Sequence, residues 1–271
     1  MILLAAARGI YFAALMLLFG HAAFSAVLKR RLLIVAPPAL PCWPALLVAL
    51  AAACVWFALA AGQMAGEMTP SAFLQAGTAT LFGQLFTVRL ALLLGLALVP
   101  RRLQALAALL AGVALALPSA TSHAAAASPA GFAIIGASLD AMHLLTAGFW
   151  IGGLAVLIVL FARKEPNIAL ALSLFSDWAM AAVLVLAMTG LINAASILLG
   201  DKAAPAALYL EVLGAKLALV AAMLALAAVN RFKLMPRGRD SVIARNVVRE
   251  LTLGFIVVLL AGALGQLSPT L

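Results

Sequence analysis

Eight apolar runs, each long enough to cross a bilayer, dominate this 271-residue chain: 2–28, 44–63, 79–99, 102–122, 131–161, 171–199, 206–230 and 243–266. A helix needs about 20 apolar residues to span the hydrocarbon core, where every backbone N–H and C=O must be bonded within the protein. Helices meet that demand locally. The pattern predicts an all-α polytopic membrane protein, a bundle of eight transmembrane helices forming a single transmembrane domain over 1–271 with no soluble domain. Composition agrees: 67% of residues are hydrophobic and 9% charged, where a soluble domain carries about a quarter charged. Prolines fall in the gaps, among them Pro70, Pro100, Pro166 and Pro236, as expected of a residue that breaks helices. Pro118 lies inside the fourth run and predicts a kink just before Ser119, Thr121, Ser122 and His123.

Charge sets the orientation. The net charge of +9 does not point to nucleic acid, because the basic residues sit in short clusters between apolar runs. Alternate loops hold Lys29, Arg30 and Arg31, then Arg101 and Arg102, then Arg163 and Lys164, then six more between Arg231 and Arg249, which makes 13 of the 17 basic residues. The opposite loops hold only Lys202. The positive-inside rule puts the first set in the cytoplasm and both termini in the periplasm. The first run has no basic start, and its basic cluster follows it, so it reads as a retained first span rather than a cleaved signal peptide.

Arg89, Asp140, Glu211 and Lys216 violate the apolar rule. An ionised group in the bilayer is costly and normally faces the bundle interior with a partner. At 1.5 Å of rise per residue, Arg89, Asp140 and Lys216 each lie about 15 Å below the outer surface. They form a charged midplane layer, with Glu211 one to two turns above Lys216. Two readings stand: salt bridges locking the third, fifth and seventh spans together, or a role in moving an ion or tuning a metal. Asp177 and Glu250 sit nearer the cytoplasmic face and predict anchoring to basic neighbours.

The candidate metal ligands are three histidines and two methionines. His21 lies in the cytoplasmic half of the first span, His123 at the outer end of the fourth and His143 deep in the fifth. Asp140 and His143 are three apart and share a helix face; a carboxylate there fixes the imidazole tautomer and raises its basicity. Met64 and Met68, in the outer loop after the second span, are four apart and would face one way on a helix. Thioethers are soft ligands that favour Cu(I). Cys42 and Cys54 read either as small buried hydrophobes or as a soft-metal relay.

The fifth run, Asp140-Ala-Met-His143-Leu-Leu-Thr-Ala-Gly-Phe-Trp150-Ile-Gly152-Gly153-Leu154, resembles the signature helix of the CopD (PcoD) copper resistance proteins. Phe175-Ser176, Thr189-Gly190, Tyr209, Leu213, Lys216, Asn230-Arg231, Glu250, Gly83, Arg89 and Ser122-His123 fit the same pattern in order. The resemblance implies a bacterial inner-membrane protein of copper homeostasis that moves copper across the membrane. It also implies a periplasmic CopC-like copper-binding partner, which would be separate because no such domain is fused here. Copper would enter near Met64, Met68 and His123, pass His143 with Asp140, and leave by His21 and Cys42. Arg89 and Lys216 argue against an open cation pore unless Asp140 and Glu211 neutralise them. No phosphate-binding loop is present, so the expectation is a non-enzymatic protein whose ion movement is passive or driven by another gradient. Two alternatives stay open. A haem-binding redox protein would use histidine pairs as axial ligands, but His123 and His143 differ in depth by about 17 Å. A non-transporting membrane partner could instead hold a periplasmic copper chaperone.

Overall fold

The computed structural model describes residues 2–32, 42–121, 133–199 and 206–268. Among them there is no strand, and eight helices are long and apolar enough to cross a membrane. The helices are α1 (Ile2–Leu32), α2 (Cys42–Ala65), α3 (Pro70–Ala79), α4 (Leu81–Leu98), α5 (Gln104–Ala116), α6 (Ala133–Ala162), α7 (Ile168–Leu199), α8 (Ala207–Val229) and α9 (Asp240–Leu264). All but α3 belong to a span, and each expected span is present.

The helix α3 was not expected, since ten residues cannot span. Its start obeys ordinary capping chemistry. The Thr69 hydroxyl accepts from the Ala72 N–H at 3.2 Å, and Pro70 occupies the first turn, where its missing N–H costs nothing. Thr80 then ends α3 and caps α4, accepting from the Gly83 N–H at 3.0 Å while donating to the Ala76 carbonyl at 2.6 Å. Pro118 has the local effect expected of it: α5 stops at Ala116 and the chain tightens into a 3-10 turn over Leu117–Thr121.

The first helix, α1, is the hub. It packs on α2, α5, α6 and α9 and touches α7, and Tyr11, Leu15, Phe24 and Leu28 along it are fully buried. Two small-residue seams let the neighbours approach. Without a hydrophobic drive between helices in lipid, close backbone packing is what holds such pairs together. Against α6, Gly20 lies so near Gly148 and Gly152 that a Cβ on Gly152 would stand 2.5 Å from Gly20 backbone atoms. Against α9, a Cβ on Gly262 would come within 2.7 Å of the Ala5 carbonyl oxygen. Gly153, the next residue of the same α6 segment, seats the Phe175 ring of α7.

The outer pair of helices is arranged differently. Helix α7 rests on α6, and α8 rests mainly on α9, so much of each faces outward. Leu184, Met188, Leu191 and Leu217 are more than half exposed, which suits a lipid solvent. The loops rich in Lys and Arg share one face, where Lys29 Nζ donates to the Arg102 carbonyl at 3.3 Å. On the opposite face Arg8 Nη1 donates to the Gly265 carbonyl at 2.5 Å, tying the start of α1 to the end of α9 and satisfying a helix-terminal acceptor.

Candidate copper-handling site

Charged residues do gather between the helices, but their membership differs from the expected set. Arg89 on α4 is 2% exposed. Its guanidinium lies 5.0 Å from the Trp56 ring centroid and 5.7–6.0 Å from those of Phe82, Tyr11 and Phe86, and its Nε donates to the Leu85 carbonyl at 3.2 Å. Aromatic faces offset the charge here, each desolvated cation–π contact being worth about 2 kcal/mol. Trp56 is shared: Arg8 on α1 sits 5.8 Å from its centroid and 5.7 Å from that of Phe12. Arg8 is a part-buried charged residue that sequence reasoning missed, since the first run reads as having no basic start.

Asp140 on α6 interacts electrostatically with both Arg8 and Lys216. The layer therefore runs from Lys216 on α8 through Asp140 to Arg8, and by the shared Trp56 ring to Arg89. Glu211 does not join it. That residue is exposed on α8, because α8 leans on α9 with one face only and Glu211 falls on the other. Lys216 is offset in part by Asp140 instead.

One turn below Asp140, His143 faces α7. Its Nδ1 lies 3.0 Å from Thr189 Oγ1. The Thr189 hydroxyl donates to the Val185 carbonyl at 2.7 Å, with a longer contact to Leu186 at 3.3 Å. A hydroxyl has one proton to give; with it on the Val185 carbonyl, Thr189 can accept from His143 Nδ1–H, and His143 also has a backbone hydrogen-bond partner at Leu186. Gly190 makes room for this arrangement: a Cβ there would stand 3.2 Å from His143 Cε1. The side-chain hydrogen-bond partner seen for His143 is a threonine on another helix. No spacing rule could reveal that, although the Thr189-Gly190 pair was visible.

The other candidates are scattered. Met64 ends α2, and Gly66 turns the chain at a φ of 74°, so Met64 and Met68 do not share a helix face. Both are more than half exposed, at 54% and 61%. His21 is 3% exposed and lines a cleft of about 90 Å³ bounded by α1, α2, α4 and α5, with Arg101 and Gln104. The Gly20–Gly152 seam separates that cleft from the α6–α7–α8 side where His143 lies. Cys54 is exposed on α2 rather than buried, while His123 and the side chain of Cys42 lie outside the described residues. Among the described residues no three of His, Cys, Asp and Glu converge on one point.

Near the basic face a second polar group forms. Arg231 Nη2 reaches Asp177 Oδ1 at 2.9 Å, and its Nη1 reaches Ser176 Oγ at 2.6 Å, as expected for Asp177. Glu250 departs from expectation. It is 2% exposed, and its partner is not a basic group but Asn230, whose Nδ2 donates to Oε1 at 2.6 Å.

The comparisons with known proteins fit this picture. Residues 1–132 match the family model for the copper resistance protein D-like N-terminal domain, and residues 169–264 match that for copper resistance protein D. Helix α6 lies between the two matches. The chain is 32% identical over 141 residues to the copper transport protein CutJ of Bacillus subtilis strain 168, a match covering 50% of this chain and 26% of that protein. The chain thus spans about a quarter of that relative's length in the match. No solved structure matches it.

Proposed function

Because this chain belongs to the copper resistance protein D family, whose members handle copper at membranes, we propose that it moves copper ions across the bacterial inner membrane, taking them from a periplasmic CopC-like carrier. The observation that carries this reading is the His143 geometry. A neutral imidazole inside a span, held by Thr189 on the next helix, is a nitrogen donor of the kind a passing soft ion needs once it has lost its water. Asp140 offsets part of the charge of Lys216 beside it but is shared with Arg8. The layer therefore stays net positive and opposes an open cation pore, and passage would go by way of the imidazole. The exposed Met64 and Met68 are the soft donors proposed for the outer face, together with His123. The relative CutJ, named a copper transport protein, supports the same reading.

Few donors converge on His143, and that suits cargo rather than a resident cofactor. An ion that must leave again needs sites favourable enough to enter and weak enough to exit. His21 is left out of this path, because its cleft opens on the other side of the α1–α6 seam.

Purified protein titrated with Cu(I) against a chromophoric chelator is expected to bind it reversibly and to show no Soret band. A Soret band would instead favour the haem-binding reading, and neither Cu(I) binding nor a Soret band would remove the basis for both.

A further inference from the structure

We propose a second cation station, on the cytoplasmic side, in the cavity lined by Glu250, Met235, Asn230 and Ser176. It rests on the copper-transfer reading for the identity of its ion, Cu(I), but it is built from different residues.

The argument begins with Glu250. Its side chain is buried in α9, within a span, at 2% exposure. A carboxyl group in such a place either keeps a proton or takes a cationic partner, and among the described residues no Lys, Arg or His pairs with it. The two nearby guanidiniums are committed elsewhere. Arg231 is held by Asp177 and Ser176, and Arg249 Nη1 donates to Asn246 Oδ1 at 3.2 Å. Asn246 Nδ2 in turn donates to Asn230 Oδ1 at 2.8 Å, and Asn230 Nδ2 to Glu250 Oε1 at 2.6 Å. This chain fixes the carboxyl group in place and orients it without neutralising it.

Beside it lies a cavity of about 50 Å³, lined by Glu250, Met235, Asn230, Arg231, Ser176 and Trp150. That is room enough for an ion with water beside it. Its donors include a hard carboxylate and a soft thioether, and thioethers select Cu(I) over hard cations. The backbone is built for it. Asn230–Leu234 forms a π-helical turn at the end of α8, followed by a 3-10 turn over Met235–Arg237. π-helical turns are rare and frequently occur at functional sites. Here the turn brings Asn230, Arg231 and Met235 to one cavity.

The place in the bundle is right for an exit. Helices α6 and α7 line both stations, and the second is completed by the turns after α8 and by Glu250 of α9. Thr189 and Ser176 are separated by about 20 Å along α7, as are Lys216 and Asn230 along α8, at 1.5 Å per residue. The inner station thus lies below the His143 station on the same side of the bundle, where His21 does not.

The test is Cu(I) binding to the detergent-purified full chain, with Cu(I) alone as the ligand and a chromophoric Cu(I) chelator as competitor. Glu250→Gln keeps an acceptor for Asn230 and is expected to abolish one bound equivalent. Met235→Leu, which preserves the apolar volume, should weaken that equivalent by about tenfold with an unchanged thermal midpoint. His143→Ala should leave it in place. If Glu250→Gln and Met235→Leu both bind like the wild type, Glu250 serves only as a proton site or a packing group and the proposal is wrong. Loss of copper in His143→Ala alone would leave the transfer reading standing and sink this station. Loss in the Glu250 and Met235 variants alone would do the reverse.

Discussion

Gly152→Ala is expected to destabilise the bundle by about 3 kcal/mol, at the upper end of ordinary overpacking, and so to lower the apparent thermal midpoint by about 6–12 °C for a chain of this size. The added Cβ would stand 2.5 Å from Gly20 backbone atoms and the His21 nitrogen. Backbone cannot rotate aside as a side chain can, so α1 and α6 must part. Parting them loosens the contact on which the central helix depends. Alanine's better helix propensity returns only about 1 kcal/mol, too little to compensate. Gly214→Ala on α8 provides the control, since nothing lies within 4 Å of the new Cβ and only the propensity gain remains. Thermal unfolding of both variants in the same detergent checks the argument; equal midpoints for the two would refute the close-approach account.

The second large effect concerns Thr189. Thr189→Val keeps the shape of the side chain and removes the acceptor for His143 Nδ1–H. Partners that orient a metal-binding histidine typically account for 10–100-fold in metal affinity, so Cu(I) affinity at the His143 station is expected to fall by about that factor. Thr189→Ser should restore most of it. The ¹⁵N resonances of the imidazole separate orientation from packing: the wild type and Thr189→Ser should show Nδ1 protonated, and Thr189→Val a mixture of tautomers. An unchanged tautomer in Thr189→Val would show that the hydroxyl does not set the ring.

Much of this architecture is legible in the sequence because lipid imposes a coarse rule. Twenty apolar residues cannot be mistaken for much else, and the basic loops orient them, so the third run, read as 79–99, emerges as Leu81–Leu98. What lies between spans is harder to read. The helix at Pro70–Ala79 is short, and its Thr69-Pro70 start is the only local signal of it. The site was partly legible for a different reason. A charge inside an apolar run announces that it is special, which singled out Arg89, Asp140, Lys216 and His143, but its partner is chosen by tertiary packing. Arg89 settled among aromatic rings, Glu250 on Asn230 and His143 on Thr189. None of these contacts has a sequence period. Glu211 and His21 show the same limit from the other side, since helix rotation put one outward and the other behind the α1–α6 seam.

Uptake of Cu(I) by proteoliposomes containing only the purified protein tests the central claim most directly. Wild-type vesicles are expected to accumulate copper well above the protein-free rate, and His143→Ala vesicles to fall back toward that rate. Wild-type uptake indistinguishable from protein-free vesicles would contradict the account and leave a membrane partner that holds a copper carrier without transporting its cargo.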